Sequence, residues 1–545
     1  MLFREFANYC NSLELLSSKN AMVSRLSEIL LDVSIEELPI FVRFIQGKIF
    51  PDWASKKINI GPNVLYESLA YVIGKDREFV IKAVNCSGEP GKTVEFLLEK
   101  REQTMFFSEN LGLIDVYNIF IKISDTSGRK SQQERMRSIQ YLLSNASPIE
   151  GRYISRLMLE EMRIGVGESV VLKSIAECFS IPISILEHAH QALNDLGEVA
   201  VMAKSDPESL RNINITPFKP VKMMLAQSSS ITEMISLHGE VAAENKYDGS
   251  RFQFHKVGAE SKIYSRRLED MTESLPDVVD LLSSSTTHDL IIDGEIIALE
   301  NGRPKPFQTV LRRIRRKHDV SAVIDTISLE PRVFDILVCD GETLIDKPFK
   351  ERRKILENVM TRFVVPQIVS QSQDEIESFY HTALDDGNEG IMLKVLDSTY
   401  IPGNRGRMWV KIKPQVDTMD LVVIGAEWGE GKRANVFGSF LLACQDDSGN
   451  LIEISHVATG IDESTLSDLY NILKPTIVSE QGKNVKFEPQ IIFEVGYSEL
   501  QKSTTYPSGY ALRFPKFIRI RDDKDIVDIE TVSSLLRRYS IQNKC

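Results

Sequence analysis

The chain contains Lys246-Tyr247-Asp248-Gly249-Ser250-Arg251, preceded by Glu244-Asn245. A lysine, an aspartate, a glycine and an arginine therefore stand at the spacing Lys-x-Asp-Gly-x-Arg. With each residue type at roughly 5–7% of average usage, this string arises by accident in a chain this long with a chance of about one in a hundred. A neutral lysine amine can attack phosphorus and form a covalent phosphoramidate, which splits a difficult group transfer into two easier steps. Making an ordinary lysine neutral at pH 7 costs roughly 4.6 kcal/mol, so the surroundings must help. Cations such as Arg251 or a bound metal do so by disfavouring the ammonium. Asp248 is expected to orient the lysine or a nucleotide, and Gly249 to let the backbone come close. A solvated lysine in a turn is the bland alternative, and it leaves the ordered octapeptide unexplained.

Further charged motifs follow in chain order. Ser265-Arg266-Arg267-Leu268-Glu269 offers a guanidinium able to grip phosphate or sugar. Asp293-Gly294-Glu295 follows the apolar Leu290-Ile291-Ile292, which puts carboxylates at a strand end. Glu389-Gly390-Ile391-Met392-Leu393-Lys394 gives a second carboxylate and a lysine. Trp409-Val410-Lys411-Ile412-Lys413 alternates apolar and basic residues, so a strand there points Lys411 and Lys413 to one face, within reach of Arg405 from Gly403-Asn404-Arg405-Gly406. Hard oxygen ligands hold magnesium and basic side chains hold phosphate, so two separated glutamates among several cations suit Mg²⁺ with a polyphosphate. Each motif alone reads by default as solvated charge; their order carries the inference. Gly91-Lys92-Thr93 ends like a phosphate-binding P-loop, but Cys86 stands where that pattern needs glycine and Pro90 precedes Gly91, so no working P-loop is expected.

Three stretches must position these groups. Over 1–215, Leu13, Leu15 and Leu16, then Val23, Leu26, Ile29 and Leu30, then Ile40, Phe41, Phe44 and Ile45 recur at three- and four-residue steps, which predicts an all-α domain. Within it, Tyr153 to Arg163 reads as one amphipathic helix, Ile164-Gly165-Val166-Gly167 as a break, and Glu168 to Cys178 as the next helix. Free N–H groups after the glycines suit a DNA phosphate; a plain helix-helix turn is the alternative. Thr216-Pro217-Phe218-Lys219-Pro220 reads as a linker. From 216 to 416, strands such as Phe252 to His255, Leu290 to Ile292 and Val333 to Leu337 alternate with helical pieces such as Lys350 to Val359, an α+β pattern. From 417 to 545, Leu421 to Glu427, Phe437 to Gln445, Leu451 to Thr459 and Ile491 to Val495, with a helical insert after Asp462, predict a five-stranded OB-fold β-barrel, a fold that commonly binds nucleic acid.

Composition sets outer limits. The 545 residues suffice for three or four domains, and 42% hydrophobic with 26% charged content describes an ordinary globular protein. No apolar run reaches the roughly 18–20 residues that cross a bilayer, and Met1 to Phe6 lacks a signal peptide's layout. An intracellular, cytoplasmic protein without membrane association is expected. Cys10, Cys86, Cys178, Cys339, Cys444 and Cys545 are scattered singly, without a zinc or disulfide pattern. The formal net charge of -12 weighs against a nucleic-acid binder, since phosphate contacts need a basic surface. Local patches such as Arg312-Arg313-Ile314-Arg315-Arg316-Lys317 escape that sum, although a solvated helix face explains such a run equally well. Gln103-Thr104-Met105-Phe106-Phe107 sets two aromatics in polar surroundings, where they need a covering partner unless they pack in the core.

With these residues in view, the chain resembles an ATP-dependent DNA ligase of the archaeal and eukaryotic replicative type, over nearly its whole length. Lys246 to Arg251 matches the family's adenylation motif, Ser265-Arg266-Arg267 the second, Val333-Phe334-Asp335 the third, Glu389 to Lys394 the fourth, Trp409 to Lys413 the fifth and Arg521-Asp522-Asp523-Lys524 the last. Arg156 to Gly167 resembles part of the family's helical DNA-binding domain. The resemblance implies that Lys246 carries AMP, that Glu244, Arg251, Arg266, Glu295, Phe334, Arg405 and Lys411 contact the nucleotide, and that Glu295 and Glu389 bind or position Mg²⁺. It implies ATP as cofactor and sealing of nicked duplex DNA in replication, repair and recombination. It further implies a monomer, with a sliding-clamp contact through Gln103, Phe106 and Phe107. Val333 departs from the aromatic many relatives carry, so Phe334 stacks on adenine or packs in the core. A lysine-nucleotidylating RNA ligase or capping enzyme is the nearest rival, and the long helical N-terminal stretch argues against both. A catalytically silent DNA-binding scaffold is the rival from another class.

Overall fold

The computed structural model describes all residues except 55, 102–108, 127–130, 301–302, 306, 315–326, 415–416, 430–435, 447 and 543–545. It divides into two compact units, Met1–Lys413 and Pro414–Cys545.

The first unit begins with α-helices from Phe3–Glu14 to Leu196–Ser205, and its apolar stripes face inward as their spacing requires: Phe3, Phe6, Leu26, Leu30, Phe41 and Phe44 are buried in one core. The helix expected over Tyr153 to Arg163 instead spans Pro148–Met158. It stops because Glu160 takes a left-handed φ of 56°, with the Glu161 N–H donating to Arg156 O (2.8 Å) and the Glu160 N–H to Leu157 O (3.1 Å). These bonds close the helix in the paired pattern that usually advertises itself with glycine. Glutamate occupies the position here, so the sequence gives no warning. The next helix is Glu168–Phe179. At Gly91, the Glu89 carboxylate accepts from the N–H groups of Gly91 (2.9 Å) and Lys92 (3.1 Å) while buried Arg156 holds it from the other side. The helix N-terminus there is already filled, in keeping with the dismissed P-loop.

Two sheets follow. Their strands are β1 (Leu225–Ser228), β2 (Val241–Lys246), β3 (Ser250–Val257), β4 (Glu260–Ser265), β5 (Leu290–Glu300), β6 (Arg303–Pro304), β7 (Ser328–Cys339), β8 (Glu342–Thr343), β9 (Gln367–Ser370), β10 (Gly390–Val395) and β11 (Arg405–Ile412). One sheet runs β1-β11-β10-β2-β9 and the other β4-β3-β5-β7-β8, with β6 on β5. Helices Ile231–His238 and Gln373–Asp385 cover one face of the first sheet, burying Met234 and Ile376 against Val241, Ala243, Ile391 and Leu393. Helices Pro276–Ser283 and Phe349–Val359 cover the second in the same way, burying Val278 and Leu356 against Phe252, Ile292 and Ile336. Asp335, at the centre of β7, holds Arg352 of the latter helix with two bonds of 2.9 and 3.0 Å, and both side chains are wholly buried. Removing one member of such a pair strands the other charge, so Asp335→Ala is expected to cost about 3–5 kcal/mol, read as a lower urea midpoint. An unchanged midpoint would show that the pair does not hold the helix.

The second unit contains β12 (Asp417–Trp428), β13 (Phe437–Gln445), β14 (Leu451–Val457), β15 (Ile477–Gln481), β16 (Asn484–Phe487), β17 (Ile492–Tyr497), β18 (Glu499–Lys502), β19 (Tyr510–Arg513) and β20 (Lys516–Ile520), with helices Glu463–Leu473 and Val532–Gln542. That is more than the five strands expected. The surplus strands are only four or five residues long: Ile477–Gln481 exposes four of its five residues, and Asn484–Phe487 alternates buried and exposed over just four, so neither stands out as a run. β12 is long enough to pair with β17 through Asp417–Val422 and with β16 through Gly425–Glu427, a register shift separating the halves. In the last motif, Asp420 accepts from Arg521 (3.0 Å) and Lys524 (2.7 Å).

Candidate active site

β2 and β10 pair with Lys246 opposite Gly390 and Glu244 opposite Met392, so the two-residue repeat of a strand puts Glu244 and Lys246 on one face. Glu389, one residue ahead of β10, donates its N–H to the Lys246 carbonyl (2.8 Å). This fixes its carboxylate beside the amine: Oε2 accepts from Lys246 Nζ and Oε1 from Lys413 Nζ. Two glycines permit the crowding. A Cβ on Gly390, whose φ is +140°, would lie 2.1 Å from Ile412 O, and one on Gly249 would lie 2.2 Å from Ile296 O and 2.8 Å from Glu295 Cγ.

Glu295 faces Arg251 across the β3–β5 ladder. Burial lifts its carboxyl to about 7, with Asp248 and Glu389 adding to the rise and Lys246 and Arg251 opposing it. The folded state thus holds this proton through a window, from about 4.5 to about 7, in which the unfolded chain has released it. Stability is therefore lost as pH rises through that window. Glu295→Gln is expected to change stability little at pH 5 and to raise it at pH 8 by on the order of 2–3 kcal/mol, measured by urea unfolding at both values. Parallel behaviour at the two pH values would refute it.

Lys411 and Lys413 are both pushed down, first by burial; Lys246 presses on each, Lys413 on Lys411, and Arg405 on Lys411. Lys246, Lys411 and Lys413 therefore converge near the Glu389 carboxylate, with Arg405 acting on Lys411, an arrangement that suits a polyanion. Arg405 itself is exposed at the start of β11. Arg251 donates through Nη2 to Asp293 (2.8 Å) and through Nη1 to Met224 O, and its guanidinium lies 5.3 Å from the Phe334 ring centre. Phe334 is half-buried, edge-on to Trp409 at 6.1 Å, so it packs while leaving part of its ring accessible.

Glu244 is 1% exposed, and its carboxylate accepts from Arg353 (3.2 Å), Gln367 (2.8 Å) and Lys394 (2.6 Å). Lys394 Nζ also donates to Phe334 O (3.1 Å) and stands 4.8, 4.5 and 4.3 Å from the ring centres of Phe334, Phe349 and Trp409. The structure thus gathers Lys246, Glu244, Arg251, Glu295, Phe334, Glu389, Arg405 and Lys411. Arg266 lies elsewhere: exposed on the turn after β4, it lines a cleft with Lys48, Lys56, Lys57, Lys222 and Arg267, to which none of the residues around Lys246 contributes.

Sequence reasoning left Lys413, Lys394 and Asp293 out of the site, although each sits inside a motif already singled out. Arg353 and Gln367 carried no signal, because packing alone brings them in. Gln103, Phe106 and Phe107 lie outside the described residues, as do Arg315, Arg316 and Lys317 of the basic run. Its Arg313 is buried and bonded to Ser274 O and Asp277, each at 2.7 Å, so that residue is structural rather than solvated. Among the described residues no helix is long and apolar enough to cross a membrane.

Residues 223–413 match the family model of the ATP dependent DNA ligase domain, 2–176 that of the DNA ligase N terminus, and 433–524 that of the ATP dependent DNA ligase C terminal region. A DNA ligase of Methanocorpusculum labreanum is 65% identical over 544 residues, covering 100% of both chains, and one of Archaeoglobus fulgidus is 43% identical, covering 99% of both. The solved structure named Pmar-Lig_PreS3 is 17% identical and shares the fold at a TM-score of 0.60, over 95% of this chain and 99% of its own. The chain therefore belongs to the ATP-dependent DNA ligase family.

Proposed function

We propose that this protein seals 5′-phosphate/3′-hydroxyl nicks in duplex DNA by way of an AMP group carried on Lys246. The observation that supports it most is the Lys246 amine held by Glu389 beside Lys413, Lys411 and Glu295, at the end of the strand that also carries Glu244.

In the first step a P–N bond forms between Nζ and the α-phosphorus of ATP, the bond from that phosphorus to the bridging oxygen breaks, and pyrophosphate leaves. AMP then passes to the 5′-phosphate of the nick, and the 3′-hydroxyl attacks that phosphorus with AMP leaving. Lys411, Lys413 and Arg405 would hold the departing phosphates, Arg251 the nucleoside, and Phe334 the base. Glu389 Oε2, already against Nζ, keeps the amine aimed. Glu295 and Glu389 fit a divalent cation: both are hard oxygen donors, and burial, with Asp248 and Glu389 nearby, leaves Glu295 reluctant to ionise, a cost that a bound Mg²⁺ would remove. When bound, that ion supplies charge neutralisation on the phosphates.

The proposed division is a helical DNA-binding domain over 1–215, an adenylation domain over 216–416 and an OB-fold domain over 417–545. Nicked duplex DNA would be the partner of the first and third, with Arg266 of the second and the lysines beside it as a further contact. A sliding clamp reached through Gln103, Phe106 and Phe107, a monomeric state, an intracellular location and roles in replication, repair and recombination complete the proposal.

Mass spectrometry after exposure to ATP and Mg²⁺ tests it. The peptide containing Lys246 is expected to gain one 5′-adenylyl group, and to lose it when nicked DNA is added. Labelling elsewhere, or none, overturns the reading.

A further inference from the structure

The segment that joins the helices to the sheets reads in the sequence as a linker, yet side chains of the sheets and of the loop between β10 and β11 bind its backbone repeatedly. The Phe218 N–H donates to His255 Nδ1 (2.9 Å), and Phe218 O accepts from Tyr264 (3.1 Å). The Val221 N–H donates to Gln253 Oε1 (3.0 Å), and Val221 O accepts from Gln253 Nε2 (3.4 Å). The Met224 N–H donates to the Tyr400 hydroxyl (2.9 Å), and Met224 O accepts from Arg251 Nη1.

The side chains of Gln253, Tyr400 and Arg251 share one further partner. Gln253 Nε2 donates to Asp293 Oδ1 (3.1 Å), the Tyr400 hydroxyl donates to Asp293 Oδ2 (2.5 Å), and Arg251 Nη2 donates to that same Oδ2 (2.8 Å). His255 accepts at Nδ1, so its Nε2 donates to Gln253 Oε1 (3.0 Å) and fixes which end of the amide faces Asp293. Gln253, His255, Asp293, Val221 and Met224 are wholly or almost wholly buried, and Tyr400 is 2% exposed. A buried network in which the bonds of Gln253, Tyr400, His255 and Asp293 are matched holds a single arrangement, because breaking any of them strands a polar group away from water. The arrangement it holds is that of Arg251, gripped by Asp293 on one side and by the Met224 carbonyl on the other. The guanidinium Nε is left buried and without a partner.

We propose that residues 216–224 are a strap belonging to the nucleotide site, with Gln253, Tyr400 and Asp293 as positioning residues that set Arg251 through it. This rests on the reading that Arg251 grips the nucleotide. Loss of one bond in the network lets the guanidinium wander, which weakens the hold on ATP while leaving the amine and its neighbours in place.

The test compares Gln253→Met and Tyr400→Phe with the parent, using the full chain, labelled ATP and Mg²⁺, with rates normalised to the fraction of protein that becomes adenylated at saturation. The KM for ATP is expected to rise about tenfold in Gln253→Met and about fivefold in Tyr400→Phe, with kcat for self-adenylation within about twofold of the parent. A purely structural role would lower the melting temperature and the active fraction but leave KM within about twofold, and that result would overturn the proposal; so would a fall in kcat at constant KM. Tyr400→Phe removes a single oxygen and decides the matter if Gln253→Met fails to fold. If the parent itself takes no label on Lys246, the reading of the site fails instead, and the two failures are told apart.

Discussion

Lys246→Arg is expected to reduce self-adenylation, and sealing driven by ATP, by about 10⁴-fold or more. Arginine would keep the positive charge facing Glu389, so the fold and the ion pair are conserved in kind. The guanidinium, however, stays protonated at any pH the protein survives and offers no lone pair to phosphorus. A nick whose 5′-phosphate already carries AMP bypasses that chemistry, and the variant should still close it at a measurable rate. The check is a pair of gel assays, one from labelled ATP and one from pre-adenylated DNA. Sealing from ATP within about tenfold of the parent would sink the assignment of the nucleophile.

Glu389→Gln is expected to be the next most severe change, lowering self-adenylation by about 10²–10³-fold even at saturating Mg²⁺. The parent carboxylate lies between the amines of Lys246 and Lys413, accepting from both. An amide cannot balance two ammonium groups, so the lysines would repel each other and Lys246 would lose its orientation. The variant should also need more Mg²⁺ to reach half its maximal rate, since a charged carboxylate ligand becomes a neutral amide oxygen. Glu389→Asp, which keeps the charge on a shorter stem, should fall between the two. A Glu389→Gln rate within about threefold of the parent would show that the carboxylate neither aims the lysine nor serves the metal.

The legible part of the site consists of residues that chemistry forces to be neighbours in the chain. Lys246, Asp248, Gly249 and Arg251 act within one strand-turn-strand, so their order survives as a string. Lys411 and Lys413 were likewise placed on one face by the alternation of a strand, though only the first was named as a ligand. What the sequence hid is long-range. Glu244 meets Arg353, Gln367 and Lys394 from three separate elements, and no local spacing announces such a meeting. Helix ends and polar strands were hidden for another reason. Glu160 adopts a backbone normally left to glycine, the strand at 477–481 exposes four of its five residues, and the one at 484–487 alternates buried and exposed over only four residues, too short a run to stand out.

The cage around Lys394 has a consequence for how the middle of the chain assembles. Its walls come from β2 (Glu244), β7 (Phe334), the helix bearing Phe349 and Arg353, β9 (Gln367), β10 and β11 (Trp409), pieces scattered over more than a hundred and sixty positions. An ammonium and a carboxylate entombed with any wall missing would each face several kcal/mol of lost hydration. Partly zipped forms are therefore penalised, and this region should melt as one cooperative block. Native-state hydrogen exchange would then find the amides of Glu244 and Lys394 opening only together, at the free energy of global unfolding.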